Sequence, residues 1–134
     1  MAGPGSYRLG KEELKELMDV MESGYLFRYG DPNNPKFKQK VNTLEREFAH
    51  MCGVDYALAT SSGTSALLVS LLALGIKPGD EVIVPAYTFV ATYSAVIFAG
   101  AIPVLTEIDT SLTIDAGDIE KRITPKTKAI IPVH

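Results

Sequence analysis

The residues best suited to chemistry lie in a short polar turn, residues 61–65, whose sequence is SSGTS. An apolar run, Tyr56–Thr60, precedes the turn, and an almost wholly apolar segment, Ala66–Leu74, follows it at once. This order predicts a strand, a tight turn and a buried helix. The first N–H groups of a helix have no partner within it and carry partial positive charge, so they suit an anion such as a phosphate. Gly63 would let the anion approach the backbone closely, and the hydroxyl groups would add donors.

The same turn also has a purely structural interpretation. Serine and threonine are ordinary helix N-caps, and glycine is an ordinary turn residue. The 134 residues contain neither a Gly-Lys-Ser/Thr phosphate loop nor a Gly-x-Gly-x-x-Gly fingerprint. Nucleoside triphosphates and nicotinamide cofactors are therefore disfavoured. From the turn alone, an anion site and a plain helix cap both stay open.

Composition and charge restrict the class of protein. The chain is 46% hydrophobic and 22% charged, which is typical of one globular domain. The net charge is −3 and no basic block occurs, so a nucleic-acid surface is disfavoured. The longest apolar stretch, Ala66–Ile76, is too short to cross a membrane. Charged residues crowd positions 11–16, where a signal peptide would be apolar, and we expect a cytoplasmic protein.

The cysteine and the histidines predict no metal site and no disulfide. Cys52 is the single cysteine, so no disulfide can form within the chain. Its place at the end of a helical stripe favours a buried packing residue over a nucleophile. His50 and His134 show no metal-ligand spacing and are interpreted as structural.

The first third of the chain predicts two helices joined by an aromatic loop. One helix covers residues 11–23, because apolar side chains recur with the spacing of one helix face. These side chains are Leu14, Leu17, Met18 and Met21. A loop rich in glycine, proline and aromatic residues follows over residues 24–35. A second apolar stripe starts at Phe37 and ends near Gly53, with residues 45–47 on its solvent-exposed face.

From residue 55 onward, strand and helix patterns alternate, which predicts a largely parallel sheet covered by helices on both faces. Strands are predicted at 56–60, 81–85, 102–108 and 128–133, and helices at 64–74, 90–99 and 115–122. Asp115 and Asp118 resemble a variant capping pair for the last helix. Ligands of such sheets bind beyond the carboxyl ends of the strands. The polar turn should therefore share one edge of the sheet with Tyr87, Thr88 and Phe89.

Several stretches, in order and with matching spacing, resemble the DegT/DnrJ/EryC1/StrS aminotransferases. They are Ser62–Leu67, Lys77–Thr92, Gly100–Val104 and Ile123–His134. Members of this family use pyridoxal 5′-phosphate (PLP). The resemblance implies an α/β fold, the three-layer α/β/α, aspartate-aminotransferase-like large domain of PLP fold type I. Residues 55–134 would form the first part of that domain, and residues 1–54 the N-terminal helices and the aromatic loop.

The resemblance also assigns cofactor residues. It implies that Gly63, Thr64 and Ser65 hold the PLP phosphate and that Phe89 stacks on the pyridine ring, which needs a flat apolar side chain. Without the family, Phe89 would be interpreted as a core aromatic.

Two tyrosines are implied on the substrate side. Tyr87 could line the substrate or hydrogen-bond to nearby backbone. Tyr29, with Tyr25 and Arg28, lies where relatives place a loop near the active site, often that of the neighbouring subunit. Taken singly, each of these three residues is better interpreted as solvated or as packing.

The family's chemistry needs a lysine that forms a Schiff base with PLP and a carboxylate that binds the pyridine nitrogen. Neither has a counterpart here, since none of the chain's lysines occupies the family's catalytic context. The Schiff-base lysine is expected downstream of His134. We therefore interpret the chain as the N-terminal third of a larger enzyme, inactive by itself.

The activity implied is transfer of an amino group from glutamate or glutamine to a nucleotide-linked keto-sugar or to a keto-cyclitol, by a homodimer. One alternative is a sugar dehydratase of the same family, in which histidine replaces the lysine. Another is a non-catalytic module that binds a cofactor or a sugar phosphate. No metal, membrane or nucleic-acid partner is expected.

Overall fold

A computed structural model describes residues 5–134, and the chain divides into two compact units, one ending at Ala59 and the other Thr60–His134. The first unit contains helices α1 (Lys11–Ser23) and α2 (Lys40–Cys52). The second contains α3 (Gly63–Ala73), β1 (Glu81–Pro85), α4 (Ala91–Phe98), β2 (Ile102–Thr106), α5 (Ala116–Arg122) and β3 (Thr127–Ile130). No helix within residues 5–134 is long and apolar enough to span a bilayer.

Helix α1 has the predicted bounds, whereas α2 begins three residues later than its apolar stripe. Helix α1 ends at Gly24, whose φ of 68° is the left-handed conformation that glycine adopts without strain. Phe37 belongs to the loop instead, because its ring packs 5.3 Å from that of Tyr25. Gln39 then takes a φ of 54° and sets the start of α2. The apolar stripe of α1 is exposed on the surface of its unit.

The predicted strand at residues 56–60 is wrong. Within residues 5–134 the segment pairs with no strand; instead, two side chains bind the backbone of Ala59. The N–H of Ala59 donates to Glu45 Oε1 at 2.8 Å, and its carbonyl accepts from Arg28 Nη1 at 2.9 Å. Arg28 and Glu45 also form an ion pair with each other. We call this arrangement the Ala59 clamp.

Two further expectations about α2 are also wrong. Glu45 is not on a solvent-exposed face, because the Ala59 clamp keeps its side chain only 19% exposed. Cys52 is exposed rather than buried, since it lies in the last turn of α2 just before Gly53.

The second unit confirms the predicted parallel sheet. The strand order is β2-β1-β3, and both pairings of β1 are parallel. Val82, Ile83 and Val84 are completely buried because β1 lies in the centre. Helices α3 and α4 pack together, and α4 also packs against β1 and β2. One apolar cluster joins these elements, formed by Leu71, Ile76, Val82, Val84, Ala95, Val96, Ala99 and Ala101.

Strands β2 and β3 are shorter than predicted, for local reasons. Beyond β2, the chain forms an isolated antiparallel bridge between Ile108 and Ile114. Beyond β3, Ile131 still donates its N–H to the carbonyl of Ile83 at 2.9 Å. The next rung would need the N–H of a residue at position 85 for the Ile131 carbonyl, and Pro85 has none.

The predicted capping pair of α5 is half right. Asp115 caps the helix and accepts from the N–H of Gly117 at 2.8 Å. Asp118 does not complete the pair, because its Oδ2 accepts from the backbone N–H of Glu107 at 3.0 Å and from Arg122 Nε at 3.1 Å. The Glu107 hydrogen bond, aided by Arg122 and opposed by burial, lowers the pKa of the Asp118 carboxyl.

This shift predicts how Asp118 affects stability as the pH changes. A carboxyl with a lowered pKa in the folded state stabilises the fold above its unfolded pKa, about 3.9 for aspartate. We expect the melting temperature of the wild type to exceed that of Asp118→Asn by a constant amount above about pH 5. There the Asp118 carboxyl is ionised in both the folded and the unfolded chain. The difference should shrink as the pH falls below about 4. A difference that stays constant down to acid pH would contradict this account.

Candidate functional site

The start of α3 is capped by its own serines. Ser62 Oγ accepts from the backbone N–H of Ser65 at 3.0 Å and lies 2.9 Å from Ser65 Oγ. Thr60 Oγ1 donates to the carbonyl of Ser62 at 2.9 Å, and the N–H of Ala66 donates to that carbonyl at 3.0 Å. The plain-cap interpretation therefore describes Ser62 well. The N–H of Ser65 is therefore not available to a ligand, and its hydroxyl is already in contact with Ser62 Oγ.

The cap leaves two donors free. Within residues 5–134, the N–H groups of Gly63 and Thr64 have no hydrogen-bond acceptor. Gly63 is exposed, and a Cβ added there would meet nothing within 4 Å. Its φ lies outside the left-handed region, so its own backbone does not require glycine. An open glycine beside two free N–H groups at a helix N-terminus fits a phosphate that approaches the backbone closely.

The segment after β1 carries the two predicted aromatic residues. The N–H of Ala86 donates to the carbonyl of Thr106 at 2.8 Å. Thr88 Oγ1 lies 2.8 Å from Thr92 Oγ1, and the N–H of Thr92 donates to the carbonyl of Phe89 at 3.1 Å. These hydrogen bonds tie the segment to β2 and to the start of α4.

Both aromatic side chains point away from the core. Phe89 is 76% exposed, so it is not the core aromatic that the sequence alone would indicate. Tyr87 is 66% exposed, and its hydroxyl makes no hydrogen bond within residues 5–134. Exposed aromatic side chains on a fixed backbone are available to contact a ligand.

The start of α3 and the Phe89 segment lie at the same end of the sheet. A Cβ at Gly100, after α4, would lie 3.1 Å from Pro78, in the turn after α3. The C-termini of the two packed helices therefore lie together, near the amino end of β1. Their N-termini lie toward the carboxyl end of β1. That end is where parallel sheets bind their ligands. The structure thus brings Gly63, Thr64, Tyr87 and Phe89 to one edge.

Tyr29 belongs to the first unit. Its ring lies 5.4 Å from the guanidinium carbon of Arg28, and its carbonyl accepts from the hydroxyl of Tyr25 at 3.1 Å. Its side chain is exposed. The substrate-side role of Tyr29 stays a prediction.

Sequence reasoning missed the most connected charged groups of each unit. Arg28 and Glu45 form the Ala59 clamp, and Asp118 holds the end of β2. Sequence patterns placed Glu45 on an exposed helix face and Asp118 in a capping pair, and no pattern indicated that Ala59 and Glu107 would be their partners. Among the residues described, no three His, Cys, Asp or Glu side chains converge as metal ligands.

Two curated bacterial proteins resemble this chain over almost its whole length. GDP-perosamine synthase from Caulobacter vibrioides is 50% identical over 128 residues, which cover 95% of this chain and 32% of that protein. The spore coat polysaccharide biosynthesis protein SpsC from Bacillus subtilis is 43% identical over 127 residues, which cover 94% and 30%. The chain thus spans about a third of the length of these relatives.

Solved structures show the same fold. The 3-amino-5-hydroxybenzoic acid synthase has a TM-score of 0.85 at 36% identity, covering 100% of this chain and 33% of that one. The PLP form of the sugar aminotransferase Spr1654 from Streptococcus pneumoniae has a TM-score of 0.80 at 33% identity, covering 91% and 29%. A GDP-4-keto-6-deoxy-D-mannose-3-dehydratase from E. coli, with bound hydrated PLP, has a TM-score of 0.76 at 31% identity, covering 92% and 31%.

These likenesses agree with the parallel sheet and with the polar helix start at its carboxyl edge. They place the fold among the PLP enzymes of fold type I, as expected from the sequence. Residues 8–134 match one family throughout. With nearly the whole chain matched, this protein belongs to the DegT/DnrJ/EryC1/StrS aminotransferase family, whose cofactor is PLP.

Proposed function

We propose that this chain supplies the phosphate-binding and ring-facing parts of a PLP-dependent aminotransferase. The enzyme would move an amino group from glutamate or glutamine to a nucleotide-linked keto-sugar or to a keto-cyclitol. The observation that carries the proposal is the open start of α3, at the same sheet edge as Phe89. There the N–H groups of Gly63 and Thr64 have no acceptor among the described residues. Residues 55–134 would be the first part of the large domain.

Each residue has a defined task in this proposal. The N–H groups of Gly63 and Thr64, with the hydroxyls of Thr64 and Ser65, would hold the phosphate in the positive field of α3. Phe89 would fix the plane of the pyridine ring by stacking, and Tyr87 would face the substrate. When bound, PLP supplies an electron sink that carries the amino group between donor and acceptor. The lysine that chemistry requires would lie outside these 134 residues.

The likeness to a sugar dehydratase supports a second candidate, PLP-dependent removal of a hydroxyl group from a keto-sugar. The two candidates differ at one catalytic position, expected downstream of His134. This position holds lysine in an aminotransferase and histidine in a dehydratase. The third candidate, a binding module without catalysis, would bind PLP or a sugar phosphate and turn over no substrate. Under the leading proposal the enzyme acts in the cytoplasm as a homodimer.

Trapping the cofactor on the protein tests the proposal. The natural gene product is incubated with PLP, reduced with borohydride and measured as an intact mass. One PLP fixed to a single lysine, together with amino transfer from glutamate to a nucleotide-linked keto-sugar, supports the aminotransferase. Loss of a hydroxyl group without a lysine adduct would favour the dehydratase. Binding of PLP with neither reaction would favour the module.

Substitutions at the start of α3 and after β1 should weaken PLP binding in that protein. We expect Thr64→Val to raise the PLP dissociation constant about tenfold, because a hydrogen bond to a charged group is lost. Phe89→Ala should raise it about 3- to 10-fold through lost stacking. Phe98→Ala is the matched control, since Phe98 is 72% exposed at the opposite end of α4. Equal effects of the two phenylalanine substitutions would contradict the assignment of Phe89.

A further inference from the structure

One peptide group at the end of β2 is held from both sides. The N–H of Glu107 donates to Asp118 Oδ2 at 3.0 Å, and the carbonyl of Thr106 accepts from the N–H of Ala86 at 2.8 Å. This carbonyl and this N–H belong to the same planar unit, so neither can turn without the other. Ala86 is the first residue after β1, and the segment that carries Phe89 follows it.

The charge of Asp118 strengthens this arrangement. Its side chain is largely buried, and Arg122 Nε donates to the same Oδ2 at 3.1 Å. Hydrogen bonds to an ionised carboxylate are shorter and stronger than neutral ones. A peptide whose N–H donates to an anion is polarised, which makes its carbonyl a better acceptor. The negative charge of Asp118 thereby strengthens the hydrogen bond from the N–H of Ala86 to the carbonyl of Thr106.

The backbone around Phe89 has few other restraints. Two hydrogen bonds through Thr92 tie it to α4, one to Thr88 Oγ1 and one to the carbonyl of Phe89. Within residues 5–134, the hydrogen bond of Ala86 is the one that ties this segment to β2. The lateral position of the segment across the sheet edge therefore depends on the Thr106–Glu107 peptide.

We propose that Asp118 is a positioning residue for the segment Ala86–Phe89. It acts through the Thr106–Glu107 peptide, and it touches neither Phe89 nor the start of α3 in any hydrogen bond described. The consequence for PLP rests on the function proposed above; the consequence for Ala86 does not. Asp118 thus sets the place of a ring-facing side chain from the far side of β2.

Hydrogen exchange of single amides in the natural gene product tests the proposal. Asp118→Asn should lower the protection of the Ala86 amide about tenfold, because the charge that polarises its acceptor is lost. The Ile131 amide is the internal reference, since it donates to the carbonyl of Ile83 on the other side of β1 at 2.9 Å. Glu120→Gln is the matched control: it removes one charge from an exposed position of α5 and should change neither amide.

The ratio of the two amides decides between positioning and general stability. A fall at Ala86 alone supports the proposal. An equal fall at Ala86 and Ile131, or none at Ala86, overturns it. Should Asp118→Asn not fold, Arg122→Gln removes the side chain that holds the carboxylate in place against the Glu107 N–H. It should lower the protection of Ala86 about threefold with Ile131 unchanged.

Cofactor affinity supplies the second reading. Asp118→Asn should raise the PLP dissociation constant about threefold, and Glu120→Gln should leave it unchanged. Unchanged PLP affinity beside a freed Ala86 overturns the link to the cofactor. A wild type that binds no PLP overturns the proposed function, while the Ala86-to-Ile131 ratio still decides the positioning of the segment.

Discussion

Gly63→Ala is expected to weaken PLP binding about 100-fold, because the methyl group would occupy the space through which a phosphate reaches the two free N–H groups. The free protein should gain stability from the same change. Gly63 is the first residue of α3, its φ is compatible with alanine, and a Cβ there meets no atom within 4 Å. Alanine at such a position adds about 0.5 kcal/mol by restricting the unfolded chain.

Opposite signs for stability and binding distinguish a ligand site from a helix cap. The measurements are the PLP dissociation constant and the melting temperature of the natural gene product. Ala66→Gly serves as the control, because it changes the helix propensity of α3 in the reverse direction at an exposed position. It should lower the melting temperature with little effect on PLP. If Gly63→Ala raised stability and left PLP affinity intact, the glycine would not be reserved for a ligand.

Glu45→Ala is expected to destabilise the first unit by about 2–3 kcal/mol, the cost of stranding groups that were hydrogen-bonded to a charge. The substitution removes the acceptor of the Ala59 N–H, 2.8 Å away, and the carboxylate partner of Arg28. The Nε of Arg28 is already buried without a partner among residues 5–134, so the guanidinium would lose much of its compensation. Thermal unfolding and hydrogen exchange at Ala59 would both report the change.

Two further variants isolate the Ala59 clamp. Glu47→Ala, two residues away on the same helix and exposed, removes the same charge and should cost less than about 0.5 kcal/mol. Arg28→Met combined with Glu45→Ala should cost less than the sum of the single changes, by about 0.5–3 kcal/mol, because the two residues are coupled. Additive costs would mean that the ion pair contributes nothing to the clamp.

Much of the second unit was predictable because local signals agreed there. The run Val82–Val84 lies between the turn at Lys77–Asp80 and Pro85, and β1 has the predicted bounds. Gly75 and Gly100 mark the ends of α3 and α4, and both adopt the positive φ expected of a residue following a helix. The ordered motifs carried the family, the fold and the cofactor.

The failures occurred where a residue's partner lies far away in sequence. Residues 56–60 have a strand-like pattern, yet side chains and not a neighbouring strand bind the backbone of Ala59. The sequence pattern predicts Glu45 to be solvent-exposed, but in the folded chain it pairs with Arg28. The pattern predicts Asp118 to be part of a helix cap, but its carboxylate accepts from the Glu107 N–H at the end of β2. Hydrophobic periodicity describes one helix or strand at a time and contains no information about contacts between residues of different segments.

The central place of β1 has a consequence for biosynthesis. Glu81 pairs with Ile102 on one side and with Thr127 on the other, so the second neighbour is synthesised long after the strand itself. At a ribosomal rate of 5–20 residues per second, β3 is synthesised roughly 2–9 s after β1. During that interval Val82, Ile83 and Val84 emerge without their full cover, as an apolar strand with an open edge. Two changes should therefore lower the yield of folded protein: a pause of translation between α5 and β3, and loss of a chaperone that shields nascent chains. Each should lower it more than it would for a sheet built from hairpins.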